Sequence, residues 1–143
     1  MAYCATADLK DALGEAKLIQ LTDDESQLAI HDGRVTKAIA AADTLIDSYL
    51  RGKHTVPLSP VPDRIRQMSV DLTIWHLYKR RRDQDMPEDL QKDYDRQVRF
   101  LEGLRDGKNL LDTPAAPANT GAIFKTNKTS DSRVFTEETL KVY

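Results

Sequence analysis

From Val35 onward the apolar residues fall at Val35, Ala38, Ile39, Ala42, Ile46, Tyr49 and Leu50. This sustained spacing of three and four predicts an amphipathic helix, with Lys37, Asp43, Asp47 and Arg51 at the other positions. Asp32 is placed to cap its start, and Gly52 follows its end. A second stripe, Ile65, Met68, Leu72, Trp75 and Tyr78, is widened by Ile74 and Leu77. It predicts another long helix, with Pro62 suited to its first position, running into Lys79-Arg80-Arg81-Arg82. A third stripe, Leu90, Tyr94, Val98, Leu101 and Leu104, starts at Pro87-Glu88-Asp89 and stops at Gly107. Each large apolar side chain fully buried contributes roughly 1.5–3 kcal/mol, so these stripes are the core.

Shorter elements precede them. Thr6 is a good N-cap, residues 7–13 are helix-prone, and Gly14 sits where a left-handed C-cap belongs. A short turn over 15–21 follows, and Thr22-Asp23-Asp24-Glu25-Ser26 reads as a solvated acidic loop. Between the long helices, Pro57, Pro60 and Pro62 forbid a continuing helix and favour a stiff, extended connection.

Beyond residue 111 the pattern changes. Asp112 to Gly121 is a linker by composition, and the remaining chain is polar, with four basic and four acidic side chains over 112–143. Arg133-Val134-Phe135-Thr136 is a candidate short strand. Ordering such a tail costs roughly 1–2 kcal/mol per residue in backbone entropy, so it calls for a partner subunit to hold it. The chain therefore predicts an all-α fold. A small helical bundle of three main helices plus one or two short ones spans 1–111, and an extended C-terminal linker and arm spans 112–143.

Composition narrows the function. The 143 residues are 40% hydrophobic and 31% charged, and no apolar run approaches the ~18–20 residues of a spanning helix. Met1-Ala2-Tyr3-Cys4 lacks the features of a signal peptide, so an intracellular protein is expected. The net charge of -2 lacks the basic excess of a duplex-coating protein. A lone Cys4 forms no internal disulfide and reads as a small buried residue. His31, His54 and His76 show no metal-ligand spacing, and the Asp23 to Gly33 stretch departs from a calcium loop. No catalytic constellation, cofactor or metal site is expected. The one sharp charge feature is Lys79, Arg80, Arg81 and Arg82, read as a solvated helix end or as a contact for phosphate or an acidic partner.

Several blocks together carry a family resemblance. They are Ala2-Tyr3-Cys4-Ala5-Thr6-Ala7-Asp8-Leu9, Leu18-Ile19-Gln20-Leu21-Thr22-Asp23, Ala42-Asp43 through Ile46-Asp47-Ser48-Tyr49-Leu50, Pro57-Leu58-Ser59-Pro60-Val61-Pro62, and Arg133-Val134-Phe135-Thr136. In order and spacing the chain resembles a Mu-like bacteriophage protein family similar to siphovirus head–tail connector, or neck adaptor, proteins. It departs from that pattern at Lys53-His54 and at Val142.

The resemblance implies a non-enzymatic virion component at the neck, made in the host cytoplasm. It implies a homo-oligomeric ring, commonly of twelve copies, between the portal protein and the next neck or tail protein. Packaged double-stranded DNA would pass through without sequence specificity, and no membrane is involved. On that reading Lys79 to Arg82 face the DNA channel or the portal. Ile123, Phe124, Arg133, Val134, Phe135 and Tyr143 form an inter-subunit arm. The alternative is a small DNA-binding regulatory protein that uses Lys79 to Arg82 on phosphates.

Overall fold

The structure, a computed structural model, describes residues 2–25, 28–81 and 85–111. Five helices follow in order: α1 (Thr6–Leu13), α2 (Glu15–Thr22), α3 (Asp32–Leu50), α4 (Asp63–Arg80) and α5 (Glu88–Asp106). The described residues contain no strand, and the fold is the expected all-α bundle. The candidate strand and the arm over 112–143 lie outside the described residues.

The long helices are where the periodicity puts them, and α3 and α4 form the central pair. They run antiparallel, because Val35 and Ile39 share a cluster with Ile74 and Leu77, whereas Ile46 and Leu50 share one with Ile65 and Met68. The first cluster is completed by Cys4, Leu9, Leu18 and Leu21, which seat α1 and α2 against α4. The second takes in Leu58 from the proline-rich connection and Leu101 and Leu104 from α5. Within the connection, the Val56–Pro57 and Ser59–Pro60 peptide bonds are cis.

Caps differ from expectation. Ala5, not Thr6, precedes α1, and Asp8 reaches back to accept the Ala5 N–H at 2.8 Å. Asp32 is already helical, and His31 is the cap of α3, its Nδ1 accepting the Arg34 N–H at 3.4 Å. Asx and Ser/Thr preference is statistical, and an imidazole acceptor does the same work. Pro62 lies just outside α4 as its cap. Gly14 has φ +79° with ψ 149°, a glycine-only conformation that turns α1 into α2 without an intervening loop. Gly107 takes the left-handed C-cap conformation after α5, and Lys108 and Asn109 donate back to the Gly103 carbonyl at 2.8 and 3.0 Å.

Two residues the pattern set aside are core. Asp43, off the apolar stripe of α3, is only 8% exposed, and Tyr3, ahead of any helix, is buried. Hydrophobic periodicity is blind to both: Asp43 is buried through hydrogen bonds, and Tyr3 packs into the cluster of Ala42, Ile46 and Leu58 from outside any helix.

Candidate functional site

The end of α2 organises the basic run. A helix leaves its last four carbonyls without intrahelical partners, and α2 has no basic residue of its own in its last turn. Guanidinium groups from α3 and α4 supply the donors. Arg81 Nη1 donates to the carbonyls of Gln20 at 3.0 Å and Asp23 at 3.1 Å. Arg80 Nη2 donates to Leu21 at 2.5 Å, and Arg34 Nη1 to Thr22 at 2.7 Å. The same three arginines converge on one carboxylate. Asp24 takes Arg80 through both oxygens, Arg81 at 3.2 Å and Arg34 at 3.4 Å. The Arg80 hydrogen bond, more than any other influence, lowers the Asp24 carboxyl to about 2.

Thus the stretch expected to be a solvated acidic loop is an anchor. Asp23 accepts the N–H groups of Glu25 at 3.0 Å and Leu28 at 2.7 Å, and Glu25 pairs with Arg34 at 3.3 Å. Sequence spacing could not show this, since Arg80 and Asp24 are 56 positions apart.

The rest of the run divides. Lys79 Nζ lies 4.5 Å from the Trp75 ring centroid, a cation–π contact. Trp75 stacks on Tyr94 of α5 at 4.0 Å and 17°, and its indole N–H donates to Gln91 at 3.0 Å. Arg82 lies outside the described residues, as do Ile123, Phe124, Arg133, Val134, Phe135 and Tyr143.

A second polar cluster lies between the two apolar ones. Asp43 of α3 accepts the Tyr3 N–H at 3.1 Å and the Ser69 hydroxyl of α4 at 2.7 Å. Tyr3 donates its hydroxyl to Asp47 and accepts the Leu58 N–H at 3.0 Å. Burial pushes the Asp43 carboxyl up, despite the Ser69 and Tyr3 bonds that oppose the shift. Burial likewise raises the Tyr3 phenol, with the Asp47 bond adding to it. The Cys4 thiol, also raised by burial, sits 3.2 Å from Ser69 Oγ and 3.9 Å from Thr73 Oγ1. A neutral buried thiol is a poor nucleophile, so the cluster ties the N-terminal segment to the α3–α4 pair.

An open groove of about 580 Å³ runs beside this cluster, lined by Ala2, Thr6, Thr36, Ala40 and Thr44 among others. Among the described residues, no group of three or more His, Cys, Asp or Glu side chains could hold a metal ion. His76 Nε2 is buried without a hydrogen-bond partner among them, and burial lowers its pKa. No described helix is long and apolar enough to cross a membrane.

These features define a small all-α protein whose polar groups serve mainly to lock helices together. The chain belongs to the family described as Bacteriophage Mu, Gp36, whose model matches residues 3–126. It is a Mu-like phage protein, and the family points to a structural or morphogenetic part in the phage. Among curated proteins, none matches the chain.

Proposed function

We propose that the chain is a head–tail connector, a neck adaptor that forms a ring between portal and tail and extends the DNA channel. The observation that carries this reading is family membership across residues 3–126, joined to the resemblance borne by the N-terminal, α3 and proline-rich blocks. The role is structural and requires neither catalysis nor a cofactor. A bundle braced at one end by the arginine clasp and at its middle by the Tyr3–Asp43–Ser69 cluster suits a subunit that transmits load as a rigid wedge. A net charge of -2 suits a channel wall past which DNA slides. The arm over 112–143 is proposed to hold a neighbour through Ile123, Phe124, Arg133, Val134, Phe135 and Tyr143.

The basic run divides between the two readings. Arg80 and Arg81 already give hydrogen bonds to Asp24 and to carbonyls of α2, which argues for bracing over free phosphate contact. The DNA-binding alternative therefore has less to recommend it. Retention of duplex DNA at low salt by the parent protein, lost when Arg80, Arg81 and Arg82 become glutamine, would revive it.

Native mass spectrometry of the protein, alone and with purified portal, tests the connector. A ring-sized species in either sample is expected, and a monomer in both overturns the reading. Removal of 112–143 is expected to leave the helical circular dichroism intact while abolishing attachment to the portal-bearing head.

A further inference from the structure

Arg80 and Arg81 are engaged by the clasp, so the cations available to an outside anion lie elsewhere on the chain. Helices α3 and α5 finish at the same end of the bundle, because Leu50, Leu101 and Leu104 share one cluster with Ile65 at the start of α4. Arg51 and Lys53 follow α3, and Arg105 and Lys108 lie on either side of the end of α5. All four are exposed. The two pairs meet: the Lys53 ammonium lies where a Cβ on Gly107 would stand, and the Arg105 guanidinium is 5.8 Å from the Tyr49 ring of α3.

Few carboxylates answer these cations. Asp106 takes Arg105 at 3.0 Å and Lys108 at 3.8 Å, and Glu102, a turn earlier, also acts on Arg105. Asp63 and Arg64 open α4 at this end and offset one another. Among the described residues, neither Arg51 nor Lys53 enters an ion pair. Cations at a helix C-terminus complement its dipole, which carries about half a negative charge. Two such ends and two carboxylates still fall short of four cations, so this end is positive on a chain of net charge -2.

The make-up of the patch favours phosphate over an acidic protein surface. Lysine supplies half of it, and lysine is depleted in protein–protein interfaces but meets phosphate well as a point charge. Arg105 already has its guanidinium on Asp106, which leaves it poorly placed to grip a second carboxylate with both arms. Gly52 and Gly107 keep the surface low between the cations, with open space beside Gly52, so a rod-shaped polyanion can approach.

We propose that Arg51, Lys53, Arg105 and Lys108 form a sequence-independent contact for the phosphate backbone of duplex DNA. The inference rests on the connector reading, which brings DNA past this protein, and names the surface that touches it. Such contacts act through counterion release, read no base and let a protein slide. A single copy binds weakly through so few charges, and a ring repeats them around the duplex.

The test follows retention of a random-sequence duplex by full-length protein from low to physiological salt. The parent is compared with two double variants, Arg51→Gln with Lys53→Gln and Lys92→Gln with Arg96→Gln, each checked by circular dichroism. All four positions are exposed, so both variants are expected to fold. The parent is expected to hold the duplex at low salt and release it as salt rises. Losing Arg51 and Lys53 should weaken retention at least tenfold and make the slope of log affinity against log salt shallower by about two. Losing Lys92 and Arg96, the same charge nearer the other end of α5, should change neither. Equal losses in the two variants overturn the contact, since net charge alone would explain them. A parent that holds no duplex at low salt overturns it as well. Retention unaltered without Arg51 and Lys53 does the same, and portal attachment lost in that variant would assign the patch to an acidic protein surface. In each of these cases a ring seen by native mass spectrometry leaves the connector reading standing. Duplex held through the patch by a protein that stays monomeric even with purified portal overturns the ring and leaves the contact.

Discussion

Arg80 grips Asp24 with both terminal nitrogens, Nη1 to Oδ2 at 2.6 Å and Nη2 to Oδ1 at 3.0 Å, and caps α2 at the Leu21 carbonyl with the same group. One side chain on α4 thereby fixes the end of α2 and the loop that follows. The planar fork is what permits this, so lysine is a poor substitute. Arg80→Ala is expected to cost about 1–2 kcal/mol in chemical denaturation through its lost charged hydrogen bonds. Arg80→Lys should recover less than half. A lysine variant equal to the parent would show that charge alone suffices.

The clasp also sets an acid limit. Asp24 titrates at about 2 in the fold, below the ordinary carboxylate value of 3.8. Its contribution is therefore complete above the ordinary value and is lost as pH falls from there toward 2. Parent and Asp24→Asn stabilities, followed by denaturation across that range, should converge at the acid end. Parallel curves would mean that the contact does not depend on the charge.

Asp43 behaves oppositely. Burial raises its folded-state pKa, so the folded chain holds that proton more tightly than the unfolded chain does. The parent should accordingly gain stability relative to Asp43→Asn as pH falls through the raised pKa. At neutral pH, Asp43→Ala leaves the Ser69 hydroxyl and the Tyr3 N–H without their acceptor and should cost about 2–4 kcal/mol. Asp43→Asn should cost ~1 kcal/mol, since an amide oxygen still accepts. Equal losses in the two variants would place the effect in packing rather than in the hydrogen bonds.

Trp75 is the only tryptophan of the chain, so its emission reports the α4–α5 contact directly. Tyr94→Ala removes its stacking partner and should shift the emission to the red with a loss of about 2 kcal/mol. Tyr94→Phe keeps the ring and should leave both readings close to the parent. An unmoved spectrum in Tyr94→Ala would mean that another side chain fills the space.

At Gly107 the φ of +80° is costly for any residue with a Cβ, whereas the Lys53 ammonium that an added Cβ would meet can swing aside. Gly107→Ala should lower stability by about 1 kcal/mol, measured by thermal melting. An unchanged midpoint would show that the end of α5 can relax into another conformation.

Val35 to Leu50 and Ile65 to Leu77 show how much of this protein is local. Their spacing places the long helices and most of their buried faces, because apolar burial depends only on which side of a helix a residue occupies. Thr6, Asp32 and Asp43 show where that logic stops. A cap is decided by which acceptor reaches the backbone, and a buried aspartate by donors such as Ser69 and Tyr3 that arrive from other elements.

The basic run makes the same division for the candidate site. Its charge at the end of α4 was legible, as was the acidic loop at Asp23 to Glu25, but their meeting was not. By itself the sequence determined the all-α class, the helices, the breaks at Gly14 and Gly107 and the family blocks, all set by near neighbours along the chain. Only the tertiary structure decided that Arg34, Arg80 and Arg81 share Asp24 and cap α2, and that Tyr3 and Ser69 meet at Asp43. Those relations join residues tens of positions apart, and hydrogen bonds between such residues depend on how helices pack, which local spacing does not encode.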